Sequence, residues 1–108
     1  MQGVIRQGDI YFAPIDTVPE GKKMAHDGTF VVAEGEKTGH KHVLRGGLPS
    51  AFDVFQADDE PDPLFMFHEK VTLTHDEHSP LTIPKGAYRI VHERELDHFA
   101  NSIRRVAD

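Results

Sequence analysis

Short apolar runs separated by Gly, Pro and Asp residues make up most of the chain. Within these runs, β-branched and aromatic residues are frequent and often alternate with polar ones, which is typical of β-strands. Pro14 indicates that the first strand ends there or lies at a sheet edge. Seven or eight strands are predicted, over residues 8–15, 29–34, 40–45, 51–56, 64–67, 71–74, 81–83 and 87–93.

Helical spacing occurs in the last segment only. Apolar residues recur at steps of three and four over residues 96–106, with Asp97 as a candidate N-cap. Residues 16–28 are polar and are predicted to form a loop. Strands at short spacing without intervening helices are typical of antiparallel barrels and sandwiches. The sequence therefore predicts one all-β domain over residues 1–108, a small antiparallel β-barrel or sandwich with a short C-terminal helix.

The composition and net charge exclude some kinds of site and disfavour some partners. The 108 residues include eight histidines and no cysteine, and the net charge is −6 with histidine neutral. Without cysteine, disulfides, thiolate zinc sites and thiol catalysis are excluded. Net acidity disfavours nucleic acid as a partner, because nucleic-acid binders usually carry a basic face. No apolar stretch approaches the roughly 20 residues of a membrane span, and no signal-peptide pattern is present. We therefore expect a soluble cytoplasmic protein without a membrane partner.

Two histidine pairs are candidate metal ligands. His40 and His42 are two residues apart, so on an extended strand they share a face. His75 and His78 follow the predicted strand 71–74, where a turn can bring residues three apart together. Imidazoles suit Zn, Fe, Ni or Mn as divalent ions. The four residues are thus predicted to bind one divalent transition metal, although pairs of exposed histidines are an equally ordinary explanation of the pattern.

Three further residues are candidates for ligand binding or catalysis. Glu77 lies between the two histidines of the second pair and is the candidate general base. Tyr88 and His92 share one face of the predicted strand 87–93. If this face lines a barrel, both side chains would contribute to a cofactor- or ligand-binding pocket.

Part of the chain resembles cupins. Residues 81–89, LTIPKGAYR, resemble the cupin hairpin in which an apolar strand meets P-x-G before a metal-binding histidine. The pair His40-x-His42 is similar to the first cupin motif. Glycines stand where that motif has glutamate, and Arg89 stands where the second motif has histidine. The resemblance implies a partly cupin-like barrel in which the second histidine pair supplies the missing ligands.

A broader resemblance covers residues 35–95. The motifs T-G-H-x-H, E-H-x-P-L, I-P-x-G-x-Y and R-E are similar to those of small uncharacterised bacterial and phage proteins. This resemblance implies a shared site and names no activity.

Three functional hypotheses follow. The first is a β-barrel that binds a metal or a small-molecule ligand through the clustered histidines, with catalysis left open. The second is a non-enzymatic module that recognises a protein or RNA through the same histidines together with Tyr88, Arg89 and Arg94. The third is a pH-responsive surface, since full protonation of eight histidines would outweigh six net negative charges. Imidazoles converging on a common centre would favour the first hypothesis. The oligomeric state is left open.

Overall fold

Ten β-strands form two antiparallel sheets in the computed structural model, which describes residues 3–17, 19–34, 41–59 and 61–92. A 3-10 turn, Pro49–Ala51, precedes the sixth strand. The strands are β1 (Ile5–Gln7), β2 (Ile10–Pro14), β3 (Lys22–Met24), β4 (Thr29–Glu34), β5 (Lys41–Arg45), β6 (Phe52–Gln56), β7 (Leu64–Phe67), β8 (Val71–Thr74), β9 (Leu81–Ile83) and β10 (Gly86–His92). The all-β prediction is confirmed.

The strands divide into a larger and a smaller sheet. The larger sheet has the order β1-β2-β10-β7-β6-β3, and the smaller sheet has the order β4-β5-β8-β9. Every neighbouring pair is antiparallel. Within the part of the chain that the structure describes, the two edge strands of each sheet do not pair with one another. The predicted barrel is therefore not formed, because neither sheet closes on itself, and a cupin-like barrel finds no support.

One hydrophobic core joins the two sheets. Phe30 on β4 contacts Phe65 on β7 with ring centroids 6.1 Å apart, so aromatic rings of the two sheets meet directly. Because side chains alternate across a strand, each sheet turns one apolar face toward this core. The buried members are Ile10, Phe12, Leu44, Ala51, Phe52, Val54, Phe65, Phe67, Val71, Leu73, Ile83, Tyr88 and Ile90. This is the two-layer packing of a sandwich.

Two strands lie where none was predicted. β3 falls within the predicted loop 16–28 and pairs with β6, Met24 opposite Val54. β1 precedes the first predicted strand and pairs with β2. Both are three-residue edge strands that contribute little to the core, so backbone pairing rather than an apolar pattern places them.

The first predicted strand begins later than expected. Residues 8–9 form a two-residue turn, since Gln7 pairs directly with Ile10 and Gly8 has a φ of 61°. Pro14 ends β2, as predicted. The predicted C-terminal helix and Asp97 lie outside the described residues. Among the residues described, no helix is long and apolar enough to cross a membrane.

Candidate functional site

Three of the predicted histidines lie together where the β1–β2 hairpin meets the smaller sheet. His42 on β5 is 1% exposed. His75 directly follows β8, and its ring centroid lies 4.3 Å from that of His42. The His78 ring centroid lies 4.7 Å from that of His75. The structure therefore brings His42, His75 and His78 into one cluster, while His40 lies outside the described residues.

Gln7 fixes the orientation of the His42 ring. The Gln7 amide nitrogen Nε2 donates to the carbonyl oxygens of Leu73 and Ser79, both at 3.0 Å. Carbonyl oxygens only accept, so the other amide atom, Oε1, must face His42. His42 Nδ1 lies 3.0 Å from that oxygen and donates its proton to it. In neutral His42 the lone pair is therefore on Nε2.

That lone pair faces a carboxylate. His42 Nε2 lies 3.2 Å from Asp9 Oδ1. Burial lowers the pKa of His42 below its ordinary value of 6.5, and the charges of His75 and His78 lower it further. The hydrogen bond and charge of Asp9 act in the opposite direction without cancelling the burial effect. His42 is thus neutral near pH 7, and two hydrogen-bond acceptors face each other unless a proton or a metal ion lies between them.

The turn between β1 and β2 packs directly on the histidines. A Cβ atom on Gly8 would lie 2.9 Å from His78 Nε2 and 3.3 Å from His42 Cε1. The positive φ of Gly8 also disfavours any side chain there. Glycine is required at this position both for the turn and for its close approach to the two rings.

Glu77 contacts the cluster through its backbone. Its N–H donates to His75 Nδ1 at 3.0 Å. His75 Nδ1 therefore carries the lone pair in this hydrogen bond, and the proton of the neutral ring is on Nε2. The Glu77 residue is exposed in the loop between β8 and β9. Its role as a general base stays a prediction.

Tyr88 and His92 were predicted to line a barrel, but the described strands form two open sheets instead. Tyr88 is fully buried in the core, where its hydroxyl donates to the Pro84 carbonyl oxygen at 2.9 Å. Burial raises the pKa of the Tyr88 hydroxyl. His92 Nε2 lies 3.0 Å from Asp62 Oδ2. Tyr88 packs into the core, whereas the His92 side chain is 41% exposed, and the ligand-binding role of both residues stays a prediction.

An open pocket of about 330 Å³ adjoins the histidine cluster. Arg6 is held at its wall, because its Nε donates to the Gly8 carbonyl oxygen at 2.9 Å. Its guanidinium carbon lies 5.2 Å from the centroid of the Tyr11 ring. The lining residues are Arg6, Gln7, Gly8, His78, Ser79 and Leu81.

Sequence reasoning did not find the hairpin residues of the site. A Gly-Asp pair between two short apolar runs is a two-residue hairpin signal, and it would have placed Gly8 and Asp9 in a turn. No sequence signal identifies Gln7 as buried. Among the described residues, no three His, Asp or Glu side chains already form a group that could hold a metal ion.

Comparison with known proteins gives a family but no activity. The family described as Domain of unknown function (DUF8820) matches residues 6–93. This region includes the hairpin turn, the three clustered histidines and the pocket residues. Searches of curated proteins and of solved structures found no match.

Proposed function

The chain belongs to the DUF8820 family, and we propose that it binds a divalent transition-metal ion through His42, Asp9 and His78. The carrying observation is the 3.2 Å contact between the Nε2 atom of buried His42 and Asp9 Oδ1. A divalent cation there would accept electron pairs from both atoms and replace their repulsion with two bonds. Imidazole and carboxylate donors suit Zn²⁺, Fe²⁺, Ni²⁺ or Mn²⁺.

His42 has the surroundings of a metal ligand. A ligating histidine nearly always donates its other ring N–H to a carboxylate, a carbonyl or water, which fixes the ring and the tautomer. The Gln7 amide oxygen fills this role at 3.0 Å from Nδ1. Because Gln7 is itself tied to two backbone carbonyls, the Nε2 lone pair has a fixed direction.

The other donors are adjustable. The Asp9 side chain is 43% exposed, and His78 is exposed in the loop before β9. Ion binding would require these two side chains to turn toward His42 Nε2, while His42 stays in place. With three protein donors, a bound ion would have room for one further ligand, as in catalytic metal sites.

His75 and His40 were both predicted to be metal ligands, and the structure describes only His75. His75 Nδ1 accepts the Glu77 N–H, so Nε2 would bind an ion only after that hydrogen bond is given up. We therefore assign His75 to packing beside His42. His40 lies outside the described residues and stays a predicted ligand.

The alternative of a protein- or RNA-recognition module is less favoured. A recognition surface needs exposed side chains, whereas His42 is buried and its reactive nitrogen points at Asp9. Arg94, predicted for that surface, lies outside the described residues.

Zinc titration by isothermal calorimetry tests the proposal. We expect one ion per chain in the parent protein and at least about a tenfold loss of affinity in His42→Asn, whose amide can still donate to Gln7. Asp9→Asn should also bind more weakly. The control is His68→Gln, because His68 is an exposed histidine paired with Asp53 at 2.7 Å. Absence of saturable binding by the parent, or equal affinity of parent and His42→Asn, would contradict the proposal.

A further inference from the structure

We infer that the outer face of the larger sheet at β2 and β10 is the docking surface for this chain's own last segment, residues 96–106, which packs there as an amphipathic helix. The surface is formed by Tyr11, Ala13 and Val91, a second apolar cluster separate from the main core. Phe12, between the first two, belongs to the main core, so its neighbours point away from the smaller sheet. The outer face of an antiparallel sheet is commonly polar, whereas this part is apolar.

The three side chains of this surface are closed to solvent. Tyr11 and Ala13 are each 6% exposed, and Val91 is 1% exposed, within one chain. The pairing of β10 with β7 stops at Arg89, so the described cross-strand partner of Val91 is Tyr11 alone. Side chains stand roughly perpendicular to a sheet, so neighbours on one face flank each other without covering their outer ends. Burial this complete on an outer face requires a further layer, and that layer belongs to the same chain.

The most complete burial lies next to the point where the last segment leaves the sheet. On neighbouring β7, Leu64 and Met66 lie on the same outer face and are only half-buried. β10 ends at His92, which pairs with the first residue of β2. Residues 93–108 lie outside the described part of the chain. Since residue 93 follows His92 directly, this segment starts beside the buried surface.

The sequence of the last segment provides a matching apolar face. Apolar residues recur at helical steps and every position between them is polar, the apolar residues being Leu96, Phe99, Ala100, Ile103 and Val106. A helix over residues 96–106 would be about 16 Å long, enough to cross two strands about 5 Å apart. Isolated helices of this length are marginal in water, so packing against an apolar surface would supply their stability.

Thiol reactivity in the full chain tests the inference, because the chain has no cysteine of its own. The thiol of Ala13→Cys should react slowly with an alkylating reagent. Adding Phe99→Asp and Ile103→Asp should accelerate the reaction at least about tenfold, because a carboxylate is costly to bury against apolar side chains. The matched control is His98→Asp with Asn101→Asp, on the opposite side of the predicted helix, which should leave the rate unchanged.

A second thiol, in the main core, separates undocking of the segment from unfolding of the protein. Ala51 is 1% exposed in the core that joins the sheets. The thiol of Ala51→Cys should stay slow to react when Phe99→Asp and Ile103→Asp are added. Fast reaction of Ala13→Cys without those two substitutions, or an equal rate with and without them, would overturn the inference. Protection of Ala13→Cys that is lost on dilution would assign the surface to a second copy of the chain and overturn it as well.

NMR of the unmodified protein decides the case in which Phe99→Asp and Ile103→Asp accelerate both thiols. The chain has two tyrosines, Tyr11 and Tyr88, so isotope labelling of tyrosine gives two sets of ring signals. We expect nuclear Overhauser contacts from the Tyr11 ring to side chains of residues 96–106, and none from the Tyr88 ring in the main core. The absence of such contacts to Tyr11 would overturn the inference.

Discussion

His42 has its protonation state and its direction set by two different neighbours. Burial disfavours the charged ring, and the Gln7 amide oxygen accepts a hydrogen bond from the Nδ1–H group. What is left is a lone pair on Nε2, 3.2 Å from a carboxylate oxygen. The same contact can hold a proton at low pH or a metal ion at higher pH, so the two must compete.

The free energy of unfolding should depend on pH in a way that reveals the neutral state of His42. Because burial lowers the pKa of His42 below 6.5, the unfolded chain takes up this proton at a higher pH than the folded one. The stabilisation is complete above about pH 6.5 and is lost as pH falls through the folded pKa. Urea unfolding of metal-free protein between about pH 7.5 and 5 should show a slope of up to about 1.4 kcal/mol per pH unit from this group. His42→Asn should lose that slope and His68→Gln should keep it; equal slopes in parent and His42→Asn would show that folding does not lower the pKa of His42.

Substitution of Gly8 tests the site in a second way, because its effect on backbone strain can be separated from its effect on the position of His78. Gly8→Ala should cost about 1–2 kcal/mol of stability from the left-handed backbone. It should also weaken zinc binding, since the new Cβ displaces His78. Gly47→Ala is the control: its φ is 84°, but nothing lies within 4 Å of a Cβ there. It should lose stability with unchanged zinc affinity, and equal zinc affinity in both variants would count against a site at the turn.

At the scale of elements, the alternation of apolar residues predicts the strands that build the core and misses those that do not. β6 and β8 each bury alternate residues, β2 buries four consecutive residues, and all three were predicted within two residues of their bounds. β3 reads Lys-Lys-Met and is held by pairing with β6, which leaves no apolar pattern to detect. Likewise, the two histidine pairs could be found from spacing, whereas the burial of Gln7 depends on partners 35, 66 and 72 residues away.

On strand β10, the predicted role of Tyr88 in ligand binding can be tested separately from its role in the core. Tyr88 lies on the face that packs into the core, and its hydroxyl donates a hydrogen bond to the Pro84 carbonyl oxygen. Tyr88→Phe should therefore cost about 1 kcal/mol of stability, the typical net value of a hydrogen bond. Zinc affinity should not change, as measured by calorimetry alongside chemical denaturation. A loss of zinc affinity with unchanged stability would support the predicted binding role of Tyr88 instead.

At the scale of the whole molecule, the site lies where the two sheets meet. The smaller sheet contributes His42 on β5, and the larger sheet contributes Gln7 and Asp9 on the β1–β2 hairpin. These residues are more than 30 positions apart, so only the packing of one sheet on the other brings them together. The strands that build the core were predictable from local pattern, but this juxtaposition depends on the order of strands in two sheets, which local pattern does not contain.

Nitrogen-15 NMR of the histidine rings, with and without zinc, tests the metal site most directly. In metal-free protein near neutral pH, His42 should be neutral with its proton on Nδ1 and a bare Nε2. One equivalent of zinc should shift the His42 Nε2 resonance and leave the Nδ1 proton in place, because Gln7 still accepts it. A proton on Nε2 of neutral His42, or a His42 spectrum unchanged by excess zinc, would contradict the account.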